Sequence, residues 1–143
     1  MSRSEKTERK SNTKKNLVII NQHEEGIIKK EDGNNYGLIT FGLVTCIDLV
    51  ISDKANHIHA LQHIDVFTDL ESITNRINKF PKDSCLTISL IASEKHQNTY
   101  STKQNLTEIK DFLKKKNIEI EKTLYHKTGG VYLSKNGTIR DLT

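Results

Sequence analysis

Short apolar runs separated by polar turn segments occupy most of this chain, a pattern typical of β-strands. Nine such runs predict strands, at residues 17–20, 26–30, 36–40, 46–51, 58–63, 85–92, 118–126, 130–133 and 138–142. Turn signals stand between the runs, including Gly129-Gly130 and the hairpin dipeptide Asn136-Gly137. Several neighbouring runs are therefore expected to pair as antiparallel hairpins.

Two segments repeat their apolar residues at helical spacing. In residues 68–80, Thr68 and Glu71 predict a capping box at the start, and Pro81 ends the helix. Residues 105–117 carry a second stripe and end in lysines, which suit a helix C-terminus. The apolar positions of the two stripes are Leu70, Ile73, Ile77, Phe80, Leu106, Ile109, Phe112 and Leu113. Many strands with two inserted helices predict an α+β layered sandwich of mostly antiparallel strands.

The net charge of +4 is concentrated at the start of the chain. Residues 1–16 contain six basic side chains, two acidic ones and no apolar residue after Met1, which predicts a disordered basic tail. Residues 17–143 balance sixteen basic against sixteen acidic side chains and are predicted to form a single domain. Because that domain is neutral, nucleic-acid binding is not expected. The tail is expected to favour solubility, and its contact with an acidic partner, membrane phosphate or nucleic acid stays open.

Export and membrane-insertion signals bear on where the protein is expected to act. No segment has the apolar core of a secretory signal or the length of a membrane-spanning helix. The two cysteines, Cys46 and Cys85, are too few for a disulfide framework. We therefore expect a cytoplasmic protein without membrane insertion, and export through a signal-free secretion system would leave the same pattern.

Residues 46–51 and 58–63 are predicted to form an antiparallel hairpin around the polar loop 52–57. Pairing that is symmetric about this loop places Cys46 opposite His63. Parity assigns the side chains to two faces: Cys46, Asp48, Val50, His59, Leu61 and His63 on one, and Ile47, Leu49, Ile51, Ile58 and Ala60 on the other. Opposed side chains have Cβ atoms about 4.5–5.5 Å apart, which brings an imidazole within hydrogen-bonding reach of a cysteine sulfur.

Cys46 has two interpretations at this point. A cysteine beside a histidine can act as a nucleophile, because the thiolate is the reactive form and an adjacent imidazolium favours it. A free cysteine is also among the most buried residue types, so a cysteine such as Cys46, taken alone, is more often a small core residue. Cys85 has no histidine nearby in sequence and is interpreted as structural.

The three histidines His57, His59 and His63 raise the alternative of a metal site. A His-x-His pair on a strand places both rings on one face. However, no set of carboxylate ligands follows at a recognisable spacing, and Asp48 is the only acid predicted on that face of the hairpin. We therefore expect neither a metal nor an organic cofactor.

The motif T-x-x-L-x-T-C begins at Thr40 and ends at Cys46, and His63 follows seventeen residues after the cysteine. This pattern resembles the signature of the CheD-type chemoreceptor glutamine deamidases, which carry a Thr–Cys–His trio at the same separations of six and seventeen residues. The similarity covers roughly residues 17–142, since segment 105–120 and the following Gly-Gly turn also match the family's order. A similar Cys–His core occurs in bacterial toxins that deamidate host proteins, such as the cytotoxic necrotizing factors.

The resemblance implies a CheD-like fold and a cysteine-dependent protein glutamine deamidase, which converts protein-bound glutamine to glutamate and releases ammonia. Cys46 is the implied nucleophile and His63 the implied acid–base residue. Thr40 is expected to orient the imidazole, while Thr45 and His59 are expected to line the substrate site. The implied partner is a protein substrate.

Val44-Thr45 stands where the family usually has Gly-Ser, which favours a changed partner. The substrate is therefore either chemoreceptor-like or a host protein, acted on in the second case by a secreted effector or toxin. A non-catalytic signalling adaptor that retains the fold is the further alternative.

Overall fold

The computed structural model describes residues 16–20, 25–29, 31–32, 36–41, 45–128 and 130–142. Its strands are β1 (Asn16–Ile20), β2 (Glu25–Lys29), β3 (Tyr36–Thr40), β4 (Ile47–Asp53), β5 (Ile58–Ile64), β6 (Leu86–Ser93), β7 (Ile120–His126), β8 (Val131–Ser134) and β9 (Ile139–Asp141). Its helices are α1 (Glu71–Ile77) and α2 (Tyr100–Lys115). The predicted tail lies outside the described residues except for Asn16, which begins β1, so the tail stays a prediction.

The strands form two sheets. One has the order β1-β3-β8-β9 and the other the order β2-β5-β4-β6-β7. The pairs β1–β3 and β6–β7 are parallel, and the other five pairs are antiparallel. This confirms the predicted α+β sandwich of mostly antiparallel strands with two helices. Neither described helix is long and apolar enough to cross a membrane.

Two apolar cores hold the layers together. The first lies between the helices and the five-stranded sheet, where Ile73 of α1 and Ile109 of α2 meet Leu49 of β4. The second lies between the two sheets and includes Leu38, Val50 and Leu61. Full burial of such a side chain contributes about 1.5–3 kcal/mol, so the two cores together hold the sheets in fixed register.

Helix α1 is shorter than the pattern predicts and is not capped as expected. The predicted capping box was wrong, because the hydroxyl of Thr68 exchanges hydrogen bonds with Asp65 instead. The helix begins at Glu71 with Leu70 as N-cap and without a side-chain cap, while the Asp69 carboxylate accepts from the Glu71 N–H at 3.0 Å. The predicted apolar stripe of this helix does pack into the first core.

Helix α2 begins five residues before the predicted start at residue 105. Thr99 is its N-cap, and the Thr99 hydroxyl accepts a hydrogen bond from the Thr102 N–H. The apolar stripe begins only at Leu106. It therefore could not show that the helix extends through the polar residues before it. The result is a longer helix whose first turns reach the end of the sandwich.

The register of the β4–β5 hairpin differs from the prediction by two residues. Strand β4 continues to Asp53, whose carboxylate accepts from the Asn56 N–H at 3.1 Å and from the Asn56 side-chain amide at 2.8 Å. The loop is therefore the four residues 54–57. Asp48, not Cys46, lies opposite His63, so the predicted Cys46–His63 pairing was wrong.

A shift by an even number of residues leaves every side chain on its predicted face. Ile47, Leu49 and Ile51 face the helices, as expected. Cys46 and Val50 face the other sheet. The predicted faces of the hairpin are therefore confirmed, and Cys46 and His63 are diagonal neighbours on one face.

Candidate active site

Three strand ends place the predicted residues together at one end of the sandwich. Thr40 is the last residue of β3, Cys46 lies one residue before β4, and His63 is the next-to-last residue of β5. Asp48, the second residue of β4, joins them. All four residues are buried. Cys46 is 7% exposed, and the other three are each exposed by 2% or less.

The imidazole of His63 has two partners at the same ring nitrogen. Its Nδ1 lies 3.0 Å from the hydroxyl oxygen of Thr40 and 3.0 Å from Oδ1 of Asp48. The contact with Thr40 has hydrogen-bond geometry. Neither carboxylate oxygen of Asp48 has an aligned hydrogen bond to a described residue, so its contact with His63 is an ion pair off the N–H axis. Thr40 therefore fixes the ring orientation, and Asp48 supplies the charge.

The protonation of His63 follows from these contacts. Burial alone would lower the pKa of His63, but the contacts and charges of Asp48 and Cys46 outweigh it and raise the pKa to about 10. Burial raises the pKa of Asp48, although His63 and His126 act in the opposite direction. Both shifts favour the bound proton, so the Asp48–His63 pair holds a proton at neutral pH.

Cys46 contacts the same imidazole from its diagonal position. Its contact and charge are among the causes that raise the pKa of His63. A diagonal pair across two strands is farther apart than an opposed pair but stays within reach of long side chains.

Asp48 has a second histidine in its surroundings. The charge of His126, at the end of β7, is one of the causes acting on the pKa of Asp48. Nδ1 of His126 lies 3.0 Å from the carbonyl oxygen of Gly130. Because a carbonyl can only accept, Nδ1 of His126 carries a proton in this contact.

Asn105 of α2 connects the two strands that carry the sulfur and the imidazole. It is 2% exposed, and its side-chain N–H groups donate to the carbonyl of Thr45 at 3.2 Å and to that of Ile64 at 3.3 Å. These carbonyls belong to the residue before Cys46 and the residue after His63. Thr45 itself is half-buried beside Cys46, and its expected role in the substrate site stays a prediction.

The structure does not bring His59 to this site. His59 lies four residues from His63 on the same strand, roughly 13 Å away at about 3.3 Å per residue. Its Nδ1 lies 2.9 Å from the hydroxyl of Ser52, and burial lowers the pKa of its imidazole. His57 is in the hairpin loop with a φ of 55°. The expected role of His59 in the substrate site therefore has no geometric support.

Two further sequence interpretations can be compared with the structure. No group of three histidine, cysteine or carboxylate side chains among the described residues could hold a metal ion. Cys85 was interpreted as structural, but it is exposed and unpaired. The two cysteines thus differ in surroundings, since only Cys46 has an imidazole and a carboxylate near it.

Asp48 and Asn105 are the site residues that the sequence interpretation did not assign. A signal existed for Asp48, because a carboxylate in the middle of the apolar run 46–51 shares a face with Cys46 and His63 by parity alone. No local signal existed for Asn105, whose contacts join residues about sixty and forty positions apart along the chain. No family model matches this chain, and no curated protein sequence is significantly similar to it.

Proposed function

We propose that this protein is a cysteine-dependent amidohydrolase that deamidates glutamine side chains of a protein substrate. The observation that carries the proposal is the double contact of His63 Nδ1 with Thr40 and Asp48, beside the sulfur of Cys46. An imidazolium held in this way favours the thiolate of a neighbouring cysteine, and the thiolate is the nucleophile in acyl transfer.

The first half of the reaction forms a thioester. The Cys46 thiolate attacks the carboxamide carbon, and the carbonyl oxygen takes up the negative charge. When the tetrahedral intermediate collapses, the C–N bond breaks and the His63 imidazolium donates its proton to the departing ammonia. Thr40 and Asp48 hold the imidazole in place during this transfer, which is the role of the third member of a catalytic triad.

The second half of the reaction restores the enzyme. The neutral imidazole of His63 accepts a proton from water, whose oxygen attacks the thioester carbon. The C–S bond breaks, the Cys46 thiolate leaves, and the product side chain is glutamate. The cycle consumes one water and releases one ammonia for each glutamine, and the chemistry requires no oxidant or reductant.

Exposed apolar side chains next to the site support a protein as the substrate. Phe41 directly follows Thr40 and is 55% exposed. Val66 and Phe67 follow β5 and are 49% and 86% exposed. Val66 and Phe67 are adjacent in sequence, and contiguous exposed apolar surface marks contacts with other proteins. The resemblance supplies two classes of substrate, a chemoreceptor-like signalling protein and a host protein.

A second candidate function is a non-catalytic signalling adaptor. The observation that favours it is the small exposure of Cys46, 7%, which limits access of a carboxamide to the sulfur. Burial of the Asp48 carboxylate argues against the adaptor, because a buried charge without an aligned hydrogen bond is costly and is retained mainly where a site needs it.

Ammonia release from a glutamine-rich protein such as casein tests the enzymatic function. We expect the protein to release ammonia and to convert glutamine to glutamate in the substrate, as measured by mass spectrometry. Cys46→Ala should abolish this release, while Cys85→Ser should leave it unchanged. Release that persists in Cys46→Ala would contradict the proposal.

Alkylation by iodoacetamide separates the enzyme from the adaptor without knowledge of the substrate. Cys85 is exposed and Cys46 buried, so access alone predicts that Cys85 reacts first. We expect the reverse near neutral pH, because an imidazolium beside Cys46 favours its thiolate. His63→Gln should remove the advantage of Cys46. If Cys85 reacts faster in the unmodified protein, the adaptor is favoured.

A further inference from the structure

The hydrogen bonds of the Asn105 side chain have no role in the reaction steps proposed above. It lies in the first half of α2, is 2% exposed, and donates to the carbonyl oxygens of Thr45 and Ile64 at 3.2 and 3.3 Å. Both partners are acceptors only, so the amide nitrogen must face them, which fixes the orientation of the side-chain amide. The side-chain nitrogen of Asn105 therefore binds both the residue before Cys46 and the residue after His63.

The contact with Thr45 also determines the direction of the Cys46 N–H. A trans peptide unit is planar, and its C=O and N–H point in opposite directions. Because the Thr45 carbonyl points at Asn105, the N–H of the same peptide unit, that of Cys46, points away from Asn105. Rotation of this peptide would require both the loss of the hydrogen bond and a buried carbonyl without a partner.

The strand ladders leave this N–H unused. Pairing of β4 with β5 begins at Ile47, and pairing of β4 with β6 begins at Asp48. Cys46 precedes both starting points, so its N–H is not part of either ladder. A backbone N–H on the nucleophile itself is well placed to donate to an oxygen that forms on the carbon bonded to the sulfur.

We propose that Asn105 is a positioning residue that presets the oxyanion hole of this site. It holds the Thr45–Cys46 peptide in the orientation in which the Cys46 N–H donates to the oxyanion of the tetrahedral intermediate. Its second hydrogen bond, to Ile64, keeps the β5 end and therefore His63 at a fixed separation from that peptide. The inference rests on acyl transfer at Cys46, which is part of the proposed function.

Two reactions of Cys46 distinguish this role from general support of the fold. Acylation by p-nitrophenyl acetate passes through a tetrahedral oxyanion and needs the donor. Alkylation by iodoacetamide is a direct displacement at a saturated carbon and forms no oxyanion. Both reactions need the same thiolate and the same access, so their ratio reports the donor alone.

The test variant is Asn105→Asp, which keeps the size of the side chain and directs a carboxylate at two carbonyl oxygens. We expect acylation to slow about 100-fold, the lower end of the range for loss of one oxyanion donor, while alkylation is unchanged. Gln104→Glu is the matched control, because it makes the same chemical change one position earlier on an exposed face of α2 and should change neither rate.

Other outcomes are equally informative. Parallel losses of acylation and alkylation, or unchanged acylation, would overturn the inference. If Asn105→Asp does not fold, Asn105→Ala removes both donors without adding a charge and is judged by the same two rates. An unmodified protein that acylates but releases no ammonia from any protein would contradict the proposed deamidation and leave this inference intact. An unmodified protein that alkylates but never acylates would overturn it.

Discussion

The carboxylate of Asp48 lies directly across β4 and β5 from the imidazole of His63, with Oδ1 3.0 Å from Nδ1. The trio assigned from the sequence was Thr40, Cys46 and His63, and this carboxylate was not part of it. Here Thr40 and Asp48 share one ring nitrogen, the first as an aligned hydrogen-bond partner and the second as a buried charge. The orientation of the His63 ring and its protonation can therefore be tested by separate substitutions.

Asp48→Asn should lower the pKa of His63, because burial is the largest influence on that group and Asp48 is the first of the two residues that together outweigh it. We expect the titration midpoint of the His63 ring, followed by NMR, to fall from about 10. Loss of the imidazolium at neutral pH should slow the proposed ammonia release by about 100-fold or more.

Thr40→Val is the matched control for this prediction, since it removes the aligned partner and keeps the charge. We expect the His63 midpoint to stay high in this variant, while ammonia release falls because the ring is no longer held in one orientation. Equal midpoints in Asp48→Asn and in the unmodified protein would show that Asp48 does not set the protonation of His63.

Much of this fold follows from local pattern. Short apolar runs between turn signals predicted nine strands close to their observed positions, and the two helices pack through their predicted apolar stripes. The face of each hairpin residue was also predictable, because parity survives an error of two residues. The helix starts were not predictable from the apolar pattern. The Thr99 hydroxyl caps α2, whereas Thr68, the predicted cap of α1, bonds to Asp65 and leaves that helix without a side-chain cap.

The candidate site was predictable only in part. Thr40, Cys46 and His63 were found through a spacing pattern, and the structure brings them together. The Asp48–His63 opposition depends on the exact register, which the contact of Asp53 with Asn56 sets by closing a four-residue loop. Asn105 acts across tertiary packing between a helix and two strand ends, and no local pattern encodes such a contact.

The raised pKa of His63 should make the stability of the fold depend on alkaline pH. A histidine that binds its proton more tightly in the folded state stabilises that state fully below about pH 6.5, and this contribution is lost as the pH rises through about 10. Asp48 acts in the same direction, because burial raises its pKa and ionisation then opposes folding. Stability from this pair therefore falls as pH rises.

Urea unfolding of the unmodified protein and of His63→Gln at several pH values measures this contribution. We expect the difference in free energy of unfolding between the two proteins to be largest near pH 6.5 and to shrink as the pH approaches about 10. Taking the difference removes the titration of groups that do not interact with His63, so it reports His63 together with its partner Asp48. A difference that grows with pH would contradict the assigned shift.

Phe67 should contribute to binding of a protein substrate and not to the fold. It is 86% exposed, and its N–H donates to the Asp65 carboxylate at 2.8 Å, so the turn survives a change of side chain. We expect Phe67→Ser to raise the KM for a protein substrate about tenfold. Alkylation of Cys46 should be unchanged, and the free energy of unfolding should change by less than about 0.5 kcal/mol.

Tyr100→Ser is the control for this comparison, because Tyr100 is 79% exposed and begins α2. It removes a similar exposed aromatic ring from another segment and should leave the KM unchanged. Equal effects of the two substitutions on KM would indicate that exposed aromatic area in general, and not the segment after β5, determines binding.

Gly137→Ala should destabilise the fold for two separable reasons. Gly137 has a φ of 84°, which an alanine adopts with strain, and a Cβ at this position would lie 2.4 Å from Cε1 of the buried His59 ring. We expect a loss of about 2–4 kcal/mol in the free energy of unfolding, from backbone strain and overpacking together.

In a His59→Ala background the contact is gone and only the backbone strain of about 1–2 kcal/mol should remain. Because the Ser52 hydroxyl and burial fix the His59 ring, the ring cannot move aside at low cost. Equal losses in both backgrounds, measured by urea unfolding, would show that the β8–β9 turn does not press on His59 at all.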